Sequence, residues 1–180
     1  SSWAAHSSPI NQVDWAHPEF GQLLASCSED KSVCIWIEEA QPGQQRKFKK
    51  QAILSEFSKG VTAIAFAPNH LGLQLATCCN DGKVRVYSSN AAKLQEWEMM
   101  GEFDPTGSGR SAYITSISWS KWRGDEAYVA VGWWYNDEDG SKVGSVSVWS
   151  LSDGRSATPV LLLKLDPSLR AEVRDVDWAP

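Results

Sequence analysis

Residues Val13–Trp36 read VDWAHPEFGQLLASCSEDKSVCIW. An apolar run ending in Trp15 leads into a His-Pro-containing loop and a second apolar run. An Asp-Lys pair then separates that run from a third, which ends in Trp36. The same order recurs. The segments Ile10–Trp36, Val61–Tyr87 and Tyr113–Trp149 align, and a fourth copy begins at AEVRDVDWAP, residues 171–180. Trp15, Phe66, Trp119 and Trp178 share one position, at spacings of 51, 53 and 59, and are expected to be the aromatics of each repeat's core. Trp36, Tyr87 and Trp149 share another, with six residues from Asp30 to Trp36 and again from Asp81 to Tyr87. Self-similarity with a period near ~40–50 residues marks a propeller or a solenoid.

Within each unit the period is two. Val33, Ile35 and Ile37 alternate with Ser32, Cys34 and Trp36, and Val84 and Val86 alternate with Arg85 and Tyr87. Alternation over short runs bounded by Asp, Gly and Asn predicts strands joined by tight turns. Asn80-Asp81-Gly82-Lys83 predicts a hairpin with a two-residue turn at positive φ. The extra residues Asn136–Val143 are expected to form a loop insertion. Looser fourth strands are predicted over Gln51–Phe57, Leu94–Phe103 and Pro159–Leu165. No segment carries a 3.6-residue period with caps, which excludes a helical solenoid. The prediction is an all-β chain of four-stranded antiparallel blades, a partial β-propeller over residues 1–180. Its units span about 10–57, 61–103 and 112–165, with the inner strand of a next unit at 171–180.

The composition agrees with a layered sheet protein: ten Trp in 180 residues need extensive burial. The net charge of −5 and a pI near 5.2 give no global attraction for nucleic acid or anionic membrane. Arg46-Lys47-Phe48-Lys49-Lys50 reads as a solvated loop, with a nuclear import signal as the alternative. Cys27, Cys34, Cys78 and Cys79 form no Cys-x-x-Cys pair and read as small buried hydrophobes in a reducing compartment. No apolar run approaches the ~18 residues of a membrane span, and no secretory leader follows Ser1.

Little in the chain points to chemistry. The histidines are His6, His17 and His70; His17 and His70 fall at equivalent loop positions and read as turn-stabilising groups. No spacing offers a metal site. Asp104–Ser111, DPTGSGRS, lacks the Gly-Lys-Ser/Thr ending of a phosphate loop and reads as a flexible linker between units. Asn136–Gly140, NDEDG, lacks the alternate ligands and distal Glu of a calcium loop and reads as a solvated acidic loop. No catalytic residue, metal or cofactor is expected. Trp133, Trp134 and Tyr135 cannot all face one side of a strand. They read as an edge packing cluster, with a partner-binding hot spot as the alternative.

His6, Ser26, Asp30 and Trp36 resemble the structural residues of WD-repeat blades: His before the inner strand, Ser on the second, Asp in the next turn, Trp ending the third. Buried imidazole and indole groups need partners, which Ser and Asp supply. The second unit has Thr77, Asp81 and Tyr87 and lacks the His; the third keeps Trp149 and little else. WAHPEFGQLLASCSED with FAPNHLGLQLATCCNDGKVRVY resembles the small propellers shared by the nuclear pore and the COPII coat, and APNHLGLQLATC with DGKVRVY favours the Seh-type nucleoporin family over its Sec-thirteen relative. The resemblance is dense through Tyr87 and thin from Gly101 to Asp166. It implies a non-catalytic scaffold of the nuclear pore Y-complex, at the nuclear envelope, that accepts a blade from an α-solenoid nucleoporin. A related subunit of a lysosomal or vacuolar nutrient-signalling complex is a further partner it implies. It implies no direct nucleic acid contact, no membrane insertion and no small-molecule substrate. The alternatives are the COPII coat propeller and a generic WD-repeat adaptor.

Overall fold

A computed structural model describes residues 4–39, 47–123, 126–151, 159–165 and 170–178. It contains three four-stranded antiparallel sheets, each built from consecutive strands. The first is β1 (Ile10–Trp15), β2 (Leu23–Ser28), β3 (Val33–Glu39) and β4 (Lys47–Leu54). The second is β5 (Val61–Phe66), β6 (Gln74–Cys79), β7 (Val84–Ser89) and β8 (Trp97–Phe103). The third is β9 (Tyr113–Trp119), β10 (Ala127–Asn136), β11 (Lys142–Leu151) and β12 (Val160–Lys164).

The two-residue period assigns residues to two seams rather than to an inside and an outside. Ala76, Cys78, Val84 and Val86 of the second sheet pack with Ile114, Ile117, Val129, Val131, Trp133 and Trp149 of the third. Their alternates Leu75, Cys79 and Tyr87 pack with Leu23, Ala25, Cys27, Val33, Ile35 and Phe57 of the first. Every residue of β6 is therefore buried. All four cysteines are buried and unpaired, and Cys78 and Cys79 point to opposite seams.

The hairpins differ from expectation in one respect. Cys79 N–H donates to Lys83 O at 3.1 Å and Gly82 N–H to Cys79 O at 3.0 Å, so the loop has three residues. Only Gly82 takes positive φ, +84°, the type I turn followed by a left-handed residue that suits such loops. The first sheet repeats this with Ser28, Ser32 and Lys31 at φ 66°, and the third with Asp137, Ser141 and Gly140 at φ +77°. The extra residues of the third unit are consequently not a loop insertion. They lengthen β10 and β11 to ten residues each, paired from Ala127↔Leu151 to Asn136↔Lys142.

Three further expectations are corrected. Lys47–Lys50 belong to β4 rather than a loop, because Phe48 packs edge-on to Trp15, Lys50 lies over the Trp36 ring and Lys49 pairs with Glu39; Arg46 lies outside the described residues. The fourth strands begin at Lys47, Trp97 and Val160. Residues 171–178 form no strand. They lie against the third sheet instead. Thr115 Oγ1 donates to Val173 O at 2.9 Å, and Trp178 Nε1 donates to Ser118 O at 3.1 Å. Ala179 and Pro180 lie outside the described residues.

Lys31 carries a Cβ in a conformation that its counterparts Gly82 and Gly140 adopt freely. Lys31→Gly is expected to raise the unfolding free energy by about 1 kcal/mol, and Gly82→Ala to lower it by about 1–2 kcal/mol, both read from urea midpoints.

Candidate protein-interaction surfaces

The first sheet closes a polar chain at the end of its third strand. Trp36 Nε1 donates to Ser26 Oγ at 2.9 Å, Ser26 Oγ lies 2.8 Å from His6 Nε2, and His6 Nδ1 lies 3.0 Å from Asp30 Oδ2. A neutral imidazole with its proton on Nδ1 satisfies every atom: the serine hydroxyl donates to Nε2 and the carboxylate accepts from Nδ1. Asp30 also accepts from the Ser7 N–H and from the hydroxyl and N–H of Ser32. Burial alone would raise its carboxyl pKa; the donors of Ser32, Ser7 and His6 outweigh that and bring it from 3.8 down to about 2.

Ser26, His6 and Asp30 stand in the order of a nucleophile, a base and an orienting carboxylate. The arrangement is closed to that use. Ser26 is 2% exposed, and its oxygen already accepts from an indole. The network fixes strand ends and offers no attack trajectory.

The other two sheets meet the same need by different means. Phe57 stands four residues before Val61, as His6 stands four before Ile10. Its ring packs edge-on to Tyr87 at 6.2 Å, and Phe103 packs on Trp149 at 4.7 Å. Where His reaches Trp through a serine, Phe touches the aromatic directly. Asp81 then needs another donor, and Arg85 supplies it at 2.8 Å, also bonding Glu102 and lying over Phe57. Thr77 Oγ1 donates to Arg85 O. In the third sheet the serine has moved across the hairpin: Ser147 of β11 accepts from both Trp149 and Trp133. The third unit thus keeps more than Trp149, and the sequence signal was Ser147, two residues before it.

The repeat aromatics are not equivalent. Trp119 is buried, its indole donating to Ala65 O of the preceding sheet, and Trp178 reaches Ser118 O in the same way. Phe66 is half-buried on Trp97. Trp15 is 51% exposed, with Phe48 packed edge-on against it.

Trp133, Trp134 and Tyr135 also divide. Trp133 is 1% exposed, inside the seam, and presents nothing to a partner. Trp134 stacks on Tyr113 at 4.4 Å and has Lys142 over its ring, and Tyr135 stacks against Trp133 beneath Arg110. Asn136 ends β10, and residues 137–141 form its turn, so the acidic segment is a hairpin tip. Asp104–Ser111 is a closed loop rather than a flexible linker. The Asp104 carboxylate accepts from the N–H groups of Thr106 and Gly109 and from the Thr106 hydroxyl, leaving those amides no phosphate to bind. His17 Nδ1 accepts from Glu19 N–H in the short helix Pro18–Phe20, and His70 lies in its counterpart Asn69–Leu71.

Among the described residues no group of His, Cys, Asp or Glu could hold a metal, and no helix is long and apolar enough to cross a membrane. Most of the large exposed apolar side chains lie on the first sheet, at Ile10, Val13, Trp15 and Ile53, and along β12, at Val160–Leu163 with Leu165; Met99, Tyr113 and Trp122 are exposed elsewhere.

The family model for the WD domain, G-beta repeat, matches residues 1–36 and 48–88. Nucleoporin SEH1 of Danio rerio is 34% identical over 192 residues, covering all of this chain and 49% of that protein. Nucleoporin SEH1 of Homo sapiens is 32% identical over 191 residues, again covering all of this chain and 50% of its own length. The chain spans about half the length of these relatives. Among solved structures, Saccharomyces cerevisiae Sqt1 superposes with a TM-score of 0.63 at 19% identity, over 89% of this chain and 35% of that one. The beta-propeller domain of Myceliophteria thermophila Cps50 (Swd1) gives 0.59 at 13% identity, over 94% and 44%. At those identities the structural likeness shows the propeller fold alone.

Two measurements check the polar accounting. Asp30 is held below its ordinary value, so its contribution, about 2 kcal/mol, is complete above pH ~4 and is lost as pH falls toward about 2. The unfolding free energies of wild type and Asp30→Asn should therefore differ at pH 6 and converge near pH 2. The buried Tyr87 hydroxyl has no hydrogen-bond partner among the described residues, and burial pushes its pKa up to about 12. Tyr87→Phe is expected to leave stability unchanged or raise it by up to about 1 kcal/mol in urea unfolding.

Proposed function

We propose that this chain, a WD-repeat propeller segment of the Seh type, serves as a non-catalytic protein scaffold: a structural nucleoporin of the nuclear pore Y-complex at the nuclear envelope. The observation that carries this reading is similarity to SEH1 nucleoporins along the whole chain. The residues support it. Their polar networks are closed on themselves, and their exposed apolar groups are arranged along sheet faces and an outer strand.

The mode of assembly follows from that surface. All five residues of β12 are exposed, four of them aliphatic, and β12 is hydrogen-bonded on one side only. Such an edge is an adhesive liability unless another chain covers it. A blade contributed by an α-solenoid nucleoporin would pair such an edge and bury aliphatic side chains like these, adding main-chain hydrogen bonds to apolar contact. The COPII coat propeller would use the same physics with a different solenoid, and a nutrient-signalling complex at the lysosome or vacuole would use a related one.

Affinity purification of the tagged full-length protein, with the bound chains identified by mass spectrometry, separates these. Y-complex nucleoporins in stoichiometric yield are the expected result. COPII cage subunits or nutrient-signalling subunits in their place would overturn the pore assignment, and recovery of none of the three would overturn the scaffold reading.

A further inference from the structure

Near the start of the inner strands β1, β5 and β9 lies an open pocket of about 360 Å³ lined by residues of all three units. Its lining includes Asn11 and Glu29 from the first, Asn80 from the second, and Tyr113 and Trp134 from the third. Two features of this lining are prearranged.

The first is an aromatic stack with one end exposed. Lys142 lies 4.8 Å from the Trp134 centroid, and Trp134 stacks on Tyr113 at 4.4 Å with 18° between the rings. Tyr113 is nonetheless 46% exposed and lines the pocket, so it keeps surface for a further group to stack on. The second is a carboxylate held in place without a countercharge. Glu29 Oε1 accepts from Asn11 Nδ2 at 2.8 Å, and that amide also donates to Val61 O of the second sheet. Glu29 Oε2 rests over Gly60, where a Cβ would stand 2.0 Å from it, so only glycine leaves the carboxylate this position. Among the described residues no Lys, Arg or His pairs with Glu29.

An exposed aromatic ring beside an unneutralised, oriented carboxylate is the complement of one side chain. We propose that this pocket receives an arginine of a partner polypeptide, its guanidinium lying on the exposed ring of Tyr113 and hydrogen-bonded to Glu29. The plane of a guanidinium stacks on a ring while its edge presents parallel N–H donors to a carboxylate, which an ammonium cannot do at once. Neutral Asn11 and Asn80 leave the local charge negative, in keeping with the chain's net −5. Trp134 is then a positioning residue: it carries the Lys142 contact and sets the plane of Tyr113. The site is separate from the flank edges invoked for solenoid docking.

The test uses full-length protein labelled with 5-fluorotryptophan, the position-134 ¹⁹F resonance being assigned with Trp134→Phe. The probes are acetyl-Gly-Arg-Gly-amide and its citrulline and lysine analogues, citrulline being the neutral shape-mimic of arginine. The arginine peptide should shift the resonance saturably and bind about tenfold more tightly than the citrulline peptide, with lysine between them. Glu29→Gln, which keeps the acceptor for Asn11, should reduce arginine binding to the citrulline level. Tyr113→Phe should retain binding and Tyr113→Leu should lose it, with folding of each variant confirmed by circular dichroism. A resonance that does not move, citrulline or lysine equal to arginine, or an unchanged affinity in Glu29→Gln would each overturn the proposal.

Discussion

The middle sheet here is packed on both faces, and that single constraint governs the rest of the structure. A four-stranded antiparallel sheet with one polar face can stand over a core alone; the middle sheet, with all of β6 buried, cannot. It is stable only as a layer between two others, and its two-residue period distributes side chains between two seams. The smaller side chains, Ala76, Cys78, Val84 and Val86, meet the tryptophans of the third sheet. The bulkier Leu75 and Tyr87 meet the first. Close packing of large against small at each seam is what ten tryptophans in a short chain require.

Stacking of this kind brings polar strand ends and turns under cover, and each sheet must satisfy them. The first sheet uses a relay from indole to carboxylate through Ser26 and His6. The second replaces the imidazole by Phe57 and gives Asp81 an arginine. The third moves the serine to the opposite strand, where Ser147 serves two indoles. What persists through these exchanges is an aromatic ring at the end of the third strand with something directly against it, and a turn whose polar groups are occupied. The side chains that accomplish this are interchangeable in sets, not singly.

That is why the sequence disclosed the fold more readily than the contacts. The repeated positions of Trp36, Tyr87 and Trp149 report a backbone period, which any suitable residue preserves. Ser147 and Arg85 compensate across a hairpin, between residues 14 and four positions apart, and such partners have no fixed spacing to detect. Trp15 and Trp119 occupy the same repeat position yet differ in burial, since burial depends on which neighbour is present and not on the residue. The basic run at Lys47–Lys50 was legible as charge but not as strand. Its aliphatic stems and Phe48 pack while its ammonium groups lie over Trp36 or beside Glu39. The pocket proposed to take an arginine was not legible at all, because its lining comes from positions spread between Asn11 and Trp134.

The long hairpin of the third sheet shows how far such a layer can be extended without losing its register. From Asp30 to Trp36 there are six residues; from the equivalent turn residue Asp139 to Trp149 there are ten, so β11 has gained four, and β10 has gained as many to stay paired with it. An even number is required, since an odd one would turn every subsequent side chain to the other face. Because it is even, Trp133 and Tyr135 continue the seam face of Val129 and Val131, while Trp134 continues the face of Gly132. Trp133 stays inside the seam, and cations lie against the three rings of the lengthened hairpin: Lys164 over Trp133, Arg110 over Tyr135 and Lys142 over Trp134. Rings and cations together form a cation–aromatic layer, held at low conformational cost by the pairing of the strands beneath. Tyr113 lies outside that layer, and with Glu29 it lines the proposed arginine site, of which the lengthened hairpin forms one wall through Trp134.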